Sequence, residues 1–202
     1  FKGEGAIGPV TANLTLEIPV VKDKSSLIIG GRGTYSDWIL KQLDEETLKN
    51  SEASFYDFVG KYHHVIDENN QIEATGYYSN DKFSISSDST YTYSNSLFSF
   101  KWNHRYNEKL SGDLILSNSN YDYNIGFDAN SARDFDLDYK VQETEIKYVM
   151  NHLMNDQHYF TYGISGKLYN YDQPNIKPKG AESLVDPNYI QSEKDIESGL
   201  FF

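Results

Sequence analysis

Apolar and polar residues alternate with a period of two along most of this chain, and few patterns constrain a fold as tightly. Leu14, Leu16 and Ile18 alternate with Asn13, Thr15 and Glu17. Ile72, Ala74 and Gly76 alternate with Gln71, Glu73 and Thr75. Phe98, Phe100, Trp102, His104 and Tyr106 share one face, opposite Ser99, Lys101, Asn103 and Arg105. Thr144, Ile146, Tyr148 and Met150 likewise oppose Glu143, Glu145, Lys147 and Val149. Short polar turns interrupt the alternation near 22–24, 67–70, 107–109 and 155–157. Longer connections rich in Ser, Asn, Asp and Tyr lie near 36–51, 80–91, 120–139 and 170–197. The first has a helical look from Trp38 to Asn50, with Asp44, Glu45 and Glu46 as its start. The last carries Pro174, Pro178 and Pro187 and is predicted to be irregular.

This pattern predicts eight antiparallel strands and the start of a ninth, about 10–20, 25–35, 52–66, 70–79, 92–106, 109–120, 139–153, 157–170 and 198 onward. Several exceed the five or six residues usual in soluble sheets. Short turns at one end and long loops at the other are the asymmetry of an up-and-down transmembrane β-barrel. The expected class is therefore all-β, with residues 1–202 forming part of one barrel domain. The chain opens on Phe1, and Ser198 to Phe202 read as a strand just begun, so a longer polypeptide is expected.

Charge and composition remove other classes. Lys and Arg number 18 against 30 Asp and Glu, a net charge of −12, which argues against a nucleic-acid binder. The absence of Cys excludes disulfides, thiolate metal sites and thiol catalysis. No run approaches the roughly 18 apolar residues of a membrane helix, although alternating strands escape that test. Aromatic residues make up 15% of the chain, too many for disorder.

In a membrane barrel the polar face lines the interior. That face is predicted to carry Arg32, Asp57, Lys61, Glu73, Lys101, Arg105 and Asp113, candidates for contact with a solute. The apolar face has aromatic residues at both ends of an aliphatic band, as two interfacial girdles would. Tyr62, Trp102, Tyr106 and Tyr148 fall near the short turns, with His64 and His104; Tyr35, Tyr56 and Tyr78 fall near the long loops. His63, His64, His104, His152 and His158 all lie near short turns, and interfacial anchoring suits them better than metal. Tyr91, Tyr93, Tyr121, Tyr123, Tyr139 and Tyr171 are read as outer-loop residues able to stack on a ligand.

Asp134, Asp136, Asp138 and Glu145 occupy positions 1, 3, 5 and 12 of a calcium-loop pattern, but Tyr139 stands where the sharp turn needs Gly. No other cofactor is implied. Gly163 to Lys167 lacks one Gly of a nucleophile elbow and falls in a strand, and Gly30 to Gly33 precedes no Rossmann helix. An enzyme is not expected.

Several local sequences are familiar. Gly30-Gly31-Arg32-Gly33-Thr34-Tyr35-Ser36-Asp37-Trp38-Ile39-Leu40 resembles a segment of TonB-dependent outer-membrane receptors of the Bacteroidota. Leu16 to Val20, Lys22 to Ser26, Asn50 to Phe58 and Gly76 to Phe83 fit the same pattern. The resemblance implies a share of a 22-stranded barrel, closed by a plug domain and working in the bacterial outer membrane. It implies nutrient uptake (a metal chelate, vitamin, glycan or peptide) energised through the TonB complex. Expected partners are the rest of the barrel, the plug, TonB, lipid and lipopolysaccharide, with a surface lipoprotein or other outer-membrane subunits. Under this reading the polar-face charges meet either solute or plug. Two rivals stand beside it: a barrel subunit that docks or scaffolds a complex without transporting, and a soluble β-sandwich that binds glycan or calcium.

Overall fold

The computed structural model describes residues 1–42, 44–45, 49–85, 89–128 and 132–202. Ten strands form one antiparallel sheet in strict chain order. They are β1 (Lys2–Ile7), β2 (Thr11–Val21), β3 (Ser25–Thr34), β4 (Glu52–Val65), β5 (Asn70–Ile85), β6 (Ser89–Asn107), β7 (Leu110–Phe127), β8 (Phe135–Asn155), β9 (His158–Pro178) and β10 (Glu193–Phe201). A single helical turn, α1 (Asp37–Leu40), follows β3. The rest of the expected helix falls partly on 43 and 46–48, outside the described residues. No helix among the described residues is long and apolar enough to cross a membrane.

The alternation becomes two faces because paired residues in neighbouring strands point the same way. Leu14, Gly31, Phe58 and Tyr78 form one cross-strand row, and Arg32, Asp57 and Ser79 the adjacent row on the opposite face. No hydrophobic side chain among the described residues is buried; Phe98, Ile146 and Ile164 are 55%, 56% and 55% exposed. A single layer has no core of its own. Its apolar face needs lipid, and its opposite face needs whatever fills the interior.

The structure corrects the predicted boundaries in three places. First, the described residues form ten strands rather than nine. β1 escapes the alternation test because Gly3 and Gly5 occupy its apolar positions. β10 begins at Glu193, well before 198. Second, the segments 80–91 and 120–139 are mostly strand. β5 and β6 pair up to Ile85 and Ser89, and β7 and β8 up to Phe127 and Phe135. Ser, Asn, Asp and Tyr there are the outward polar and inward aromatic residues of strands that continue beyond the apolar band.

Third, β9 continues as strand through Pro174 to Pro178. The pairing jumps from Lys140↔Asp172 to Asp138↔Asn175, so Pro174 sits in a register slip. A bulge leaves residues out of the ladder, and there the missing Pro N–H costs nothing. A second slip, in β2, leaves out Val20, and Pro19 pairs with Ser26 beside it.

The apolar band crosses the sheet diagonally. The outer face turns from apolar to polar between Tyr78 and Asn80, Phe98 and Ser96, Leu116 and Asn118, Ile146 and Thr144, and Leu168 and Asn170. The Leu14–Gly31–Phe58–Tyr78 row continues as Ser96, Asn120, Gln142, Asn170 and Lys194. A level boundary cuts residue rows obliquely when strands are tilted, as in barrel walls. β8 and β9 have 21 residues each, against about 9–11 needed to span a bilayer. Roughly half of each stands beyond the band on the long-loop side.

Candidate functional site

The inner face carries two zones stacked along the strands. Within the membrane band it is polar. Lys61 lies 3.2 Å from Glu73, and Lys101 3.2 Å from Asp113. Glu73 and Lys101 are directly opposed in register, which joins the two pairs into one belt. Asn103 Nδ2 donates to Asp113 Oδ1 at 2.8 Å and Asn151 to Oδ2 at 3.5 Å, while Thr161 Oγ1 donates to Asn151 at 3.1 Å. Arg32 Nε meets Asp57 Oδ2 at 2.5 Å, and its guanidinium stands 5.3 Å from the centroid of the Phe55 ring. Arg105 sits apart, exposed near the short turns, with no ion pair among the described residues.

Beyond the band the two faces exchange character. Tyr93 and Tyr123 stack at 4.9 Å between centroids, Tyr169 and Tyr171 at 5.7 Å, and Phe127 and Phe135 at 5.3 Å, all on the inner face. Mutual burial pushes the Tyr121 and Tyr123 phenols above their usual value, and the nearby Tyr93 adds to the effect. The outer face at this height holds Lys82–Glu52 at 2.5 Å, Lys140–Asp122 at 3.3 Å and Lys177–Asp138 at 2.5 Å. Asn124 also donates to Asp138, at 2.6 Å. Below, the wall is apolar outside and charged inside. Above, it is charged outside and aromatic inside, the order expected where lipid gives way to water.

The tyrosines read from the sequence as loop residues are therefore strand residues aimed inward. Sequence reasoning missed Tyr169, which lies within a correctly predicted strand and so drew no attention. It also missed Glu193, Asp195 and Glu197, because β10 was begun too late.

The girdle candidates at the short-turn end fall on the outer face and touch one another. Tyr106 and Tyr148 share a hydroxyl–hydroxyl hydrogen bond of 2.6 Å, and Tyr62 stacks on His64. Asn70 joins this end together. Its Nδ2 donates to both Asp67 oxygens, while its Oδ1 accepts from Trp102 Nε1 at 3.1 Å and faces His104 Nδ1 at 2.8 Å. Asn70→Ala should destabilise the assembled protein by about 1–2 kcal/mol, because two or more hydrogen bonds of about 0.5–1.5 kcal/mol each are lost. Trp102 fluorescence against denaturant will report it. The Asn70 amide and the Asn69 N–H hold the Asp67 carboxyl below its usual value. That contribution is present above the unfolded Asp value and is lost as pH falls through the lower folded one.

At the other end Tyr56 lies 6.1 Å from Tyr78 between centroids, and the Tyr35 hydroxyl bonds the Gly8 carbonyl. Four histidines, His64, His104, His152 and His158, share the outer face near the short turns; His63 faces inward, 3.4 Å from Gln71. The four calcium-pattern carboxylates are dispersed. Asp136 and Asp138 point outward, Asp138 towards Lys177, whereas Glu145 points inward seven residues further along β8, and Asp134 lies in the turn before it.

No family model matches the chain, and no curated protein does. Solved structures do match. The copper transporter OprC superposes with a TM-score of 0.68 at 8% identity, covering 98% of this chain and 32% of that one. The ferripyoverdine receptor of the outer membrane of Pseudomonas aeruginosa gives 0.66 at 9%, with 98% and 33% covered. The ferric preacinetobactin receptor BauA from Acinetobacter baumannii gives 0.66 at 8%, with 98% and 36% covered. The chain thus spans about a third of the length of these proteins, and its fold is the wall of an outer-membrane β-barrel.

Proposed function

We propose that this chain forms part of the wall of a TonB-dependent receptor in a bacterial outer membrane, which captures a nutrient outside and imports it without bond chemistry. The observation that carries this reading is the exchange of character between the faces: an apolar outer band with a charged interior, continuing into a wet outer wall with an aromatic interior. A soluble sandwich has no reason to turn its apolar face over partway along the same strands. The likeness to solved receptors and the resemblance around Gly30 to Leu40 support the same assignment. The edge groups of β1 and β10 have no partner strand in this sheet, so further strands complete the wall in a bilayer. On this reading Arg32, Asp57, Lys61, Glu73, Lys101, Arg105 and Asp113 face solute or plug, and the aromatic ends of the band sit at the two lipid interfaces.

The test uses the full-length polypeptide in its own cells. It should fractionate with the outer membrane and run as a compact, heat-modifiable band. Uptake found by screening ferric chelates, oligosaccharides, peptides and cobalamin should vanish without TonB. Recovery in the aqueous phase without detergent would sink the proposal. Asp57→Lys tests the interior. Arg32 is largely exposed, and an ion pair with an exposed partner adds little to stability, so insertion should persist while uptake falls. Uptake equal to wild type would remove Asp57 from the transport surface.

A further inference from the structure

We propose that the aromatic inner wall beyond the membrane band takes a cationic ligand, a short basic peptide, rather than an anionic metal chelate. This rests on the receptor reading above and names the ligand class of that wall. The argument is charge complementarity on an uncovered sheet face. Tyrosine rings present their electron-rich faces to whatever lies against them, and cations bind such faces. The wall already holds one internal example, with Lys167 Nζ 5.9 Å from the Tyr169 ring.

Above the band the cations of the extended strands point outward, whereas carboxylates lie on both faces. Lys82, Lys140 and Lys177 point outward and are tied to Glu52, Asp122 and Asp138. The carboxylates of Asp81, Glu193, Asp195 and Glu197 share the inward face with the tyrosines, Asp81 opposite Tyr93 and Glu193 and Asp195 opposite Tyr171 and Tyr169. Glu197 accepts from the Tyr169 hydroxyl at 3.2 Å. Arg32, at the lower margin of this zone, is engaged by Asp57. A polyanionic chelate would meet carboxylates here, since among the described residues the inward cations of these strands, Lys147 and Lys167, lie lower, within the band, with Lys167 paired to Glu143. A basic peptide would find both rings and counter-charges, and alternating side chains of an extended peptide suit a wall of alternating residues.

The experiment uses the full-length protein, purified in detergent and shown to be heat-modifiable. Three labelled probes are titrated: a Lys/Tyr tetrapeptide, maltohexaose and ferric citrate. The peptide should bind, with affinity falling as salt rises. Asp195→Lys combined with Glu197→Lys should weaken it about tenfold or more, as charge reversal in a desolvated contact does. Asp172→Lys makes the same kind of change on the outer face at similar height and should leave binding unchanged. Binding of maltohexaose or ferric citrate in place of the peptide would overturn the inference. So would no peptide binding by a heat-modifiable barrel, or equal weakening by Asp172→Lys. A protein that never reaches the outer membrane would instead overturn the receptor reading on which this one stands.

Discussion

Ile164→Arg should cost the assembled barrel about 2–4 kcal/mol, the figure for a cation at mid-depth on a lipid-facing wall. Ile164 lies near the centre of the apolar run of β9, between Leu168 at its upper edge and Phe160 near the short turn, and its outward side chain is 55% exposed to what would be lipid. Gln142→Arg provides the contrast. It points the same way from β8 but stands above the Ile146–Thr144 boundary, where the cost should fall to about 0–1 kcal/mol. Unfolding by denaturant in phospholipid vesicles measures both. Equal costs would mean that the diagonal boundary is not the edge of a bilayer.

Gly163→Leu should prevent assembly of most of the protein, read as loss of the heat-modifiable band. Gly163 faces inward from β9, and a side chain there would run into the Tyr148 carbonyl and, at 2.6 Å, the Phe201 ring. Phe201 occupies that seat opposite Gly163, with Lys147 Nζ 4.9 Å from its centroid. A flexible neighbour could yield, but a backbone carbonyl in the middle of β8 cannot. Overpacking a tight site costs about 1–3 kcal/mol even where relief exists. Gly60 and Gly76 have open space above them, so Gly60→Ala and Gly76→Ala should assemble normally. Normal yield from Gly163→Leu would show that the Tyr148 carbonyl does not close off the space above Gly163.

The architecture was legible wherever one face is continuously apolar. Leu97 to Tyr106 and Glu143 to Met150 announced both the strands and their sidedness. Legibility failed for two physical reasons. Gly3 and Gly5 put no side chain on the outer face, so β1 had no pattern to show. Above the band the outer face is polar and the inner face tyrosine, and a Tyr counts as neither clearly apolar nor clearly wet. Pro174 strengthened the misreading, since nothing local shows that a bulge will accommodate it. The belt from Lys61 to Asp113 was visible as a face, whereas the joining of its pairs depends on register, which no single strand carries. Glu193, Asp195 and Glu197 meet Tyr169 and Tyr171 only through pairing across a connection of 14 residues, 179–192.

The slip at Pro174 bears on how such a wall tolerates change over generations. Even-numbered residues of β9 look outward before it, and Ile176 and Pro178 look inward after it, so the slip takes up one extra residue while Asn175 and Lys177 stay opposite the outward Asp138 and Asp136. A lineage that lost the extra residue would leave Lys177 outward and Ile176 inward, because a regular strand would carry them to the same partners, Asp136 and Leu137. A single insertion or deletion is therefore admissible where a bulge forms or is erased, as well as in the hairpins. One that no bulge absorbs turns every residue beyond it to the other side, which keeps such changes to a few places along the wall.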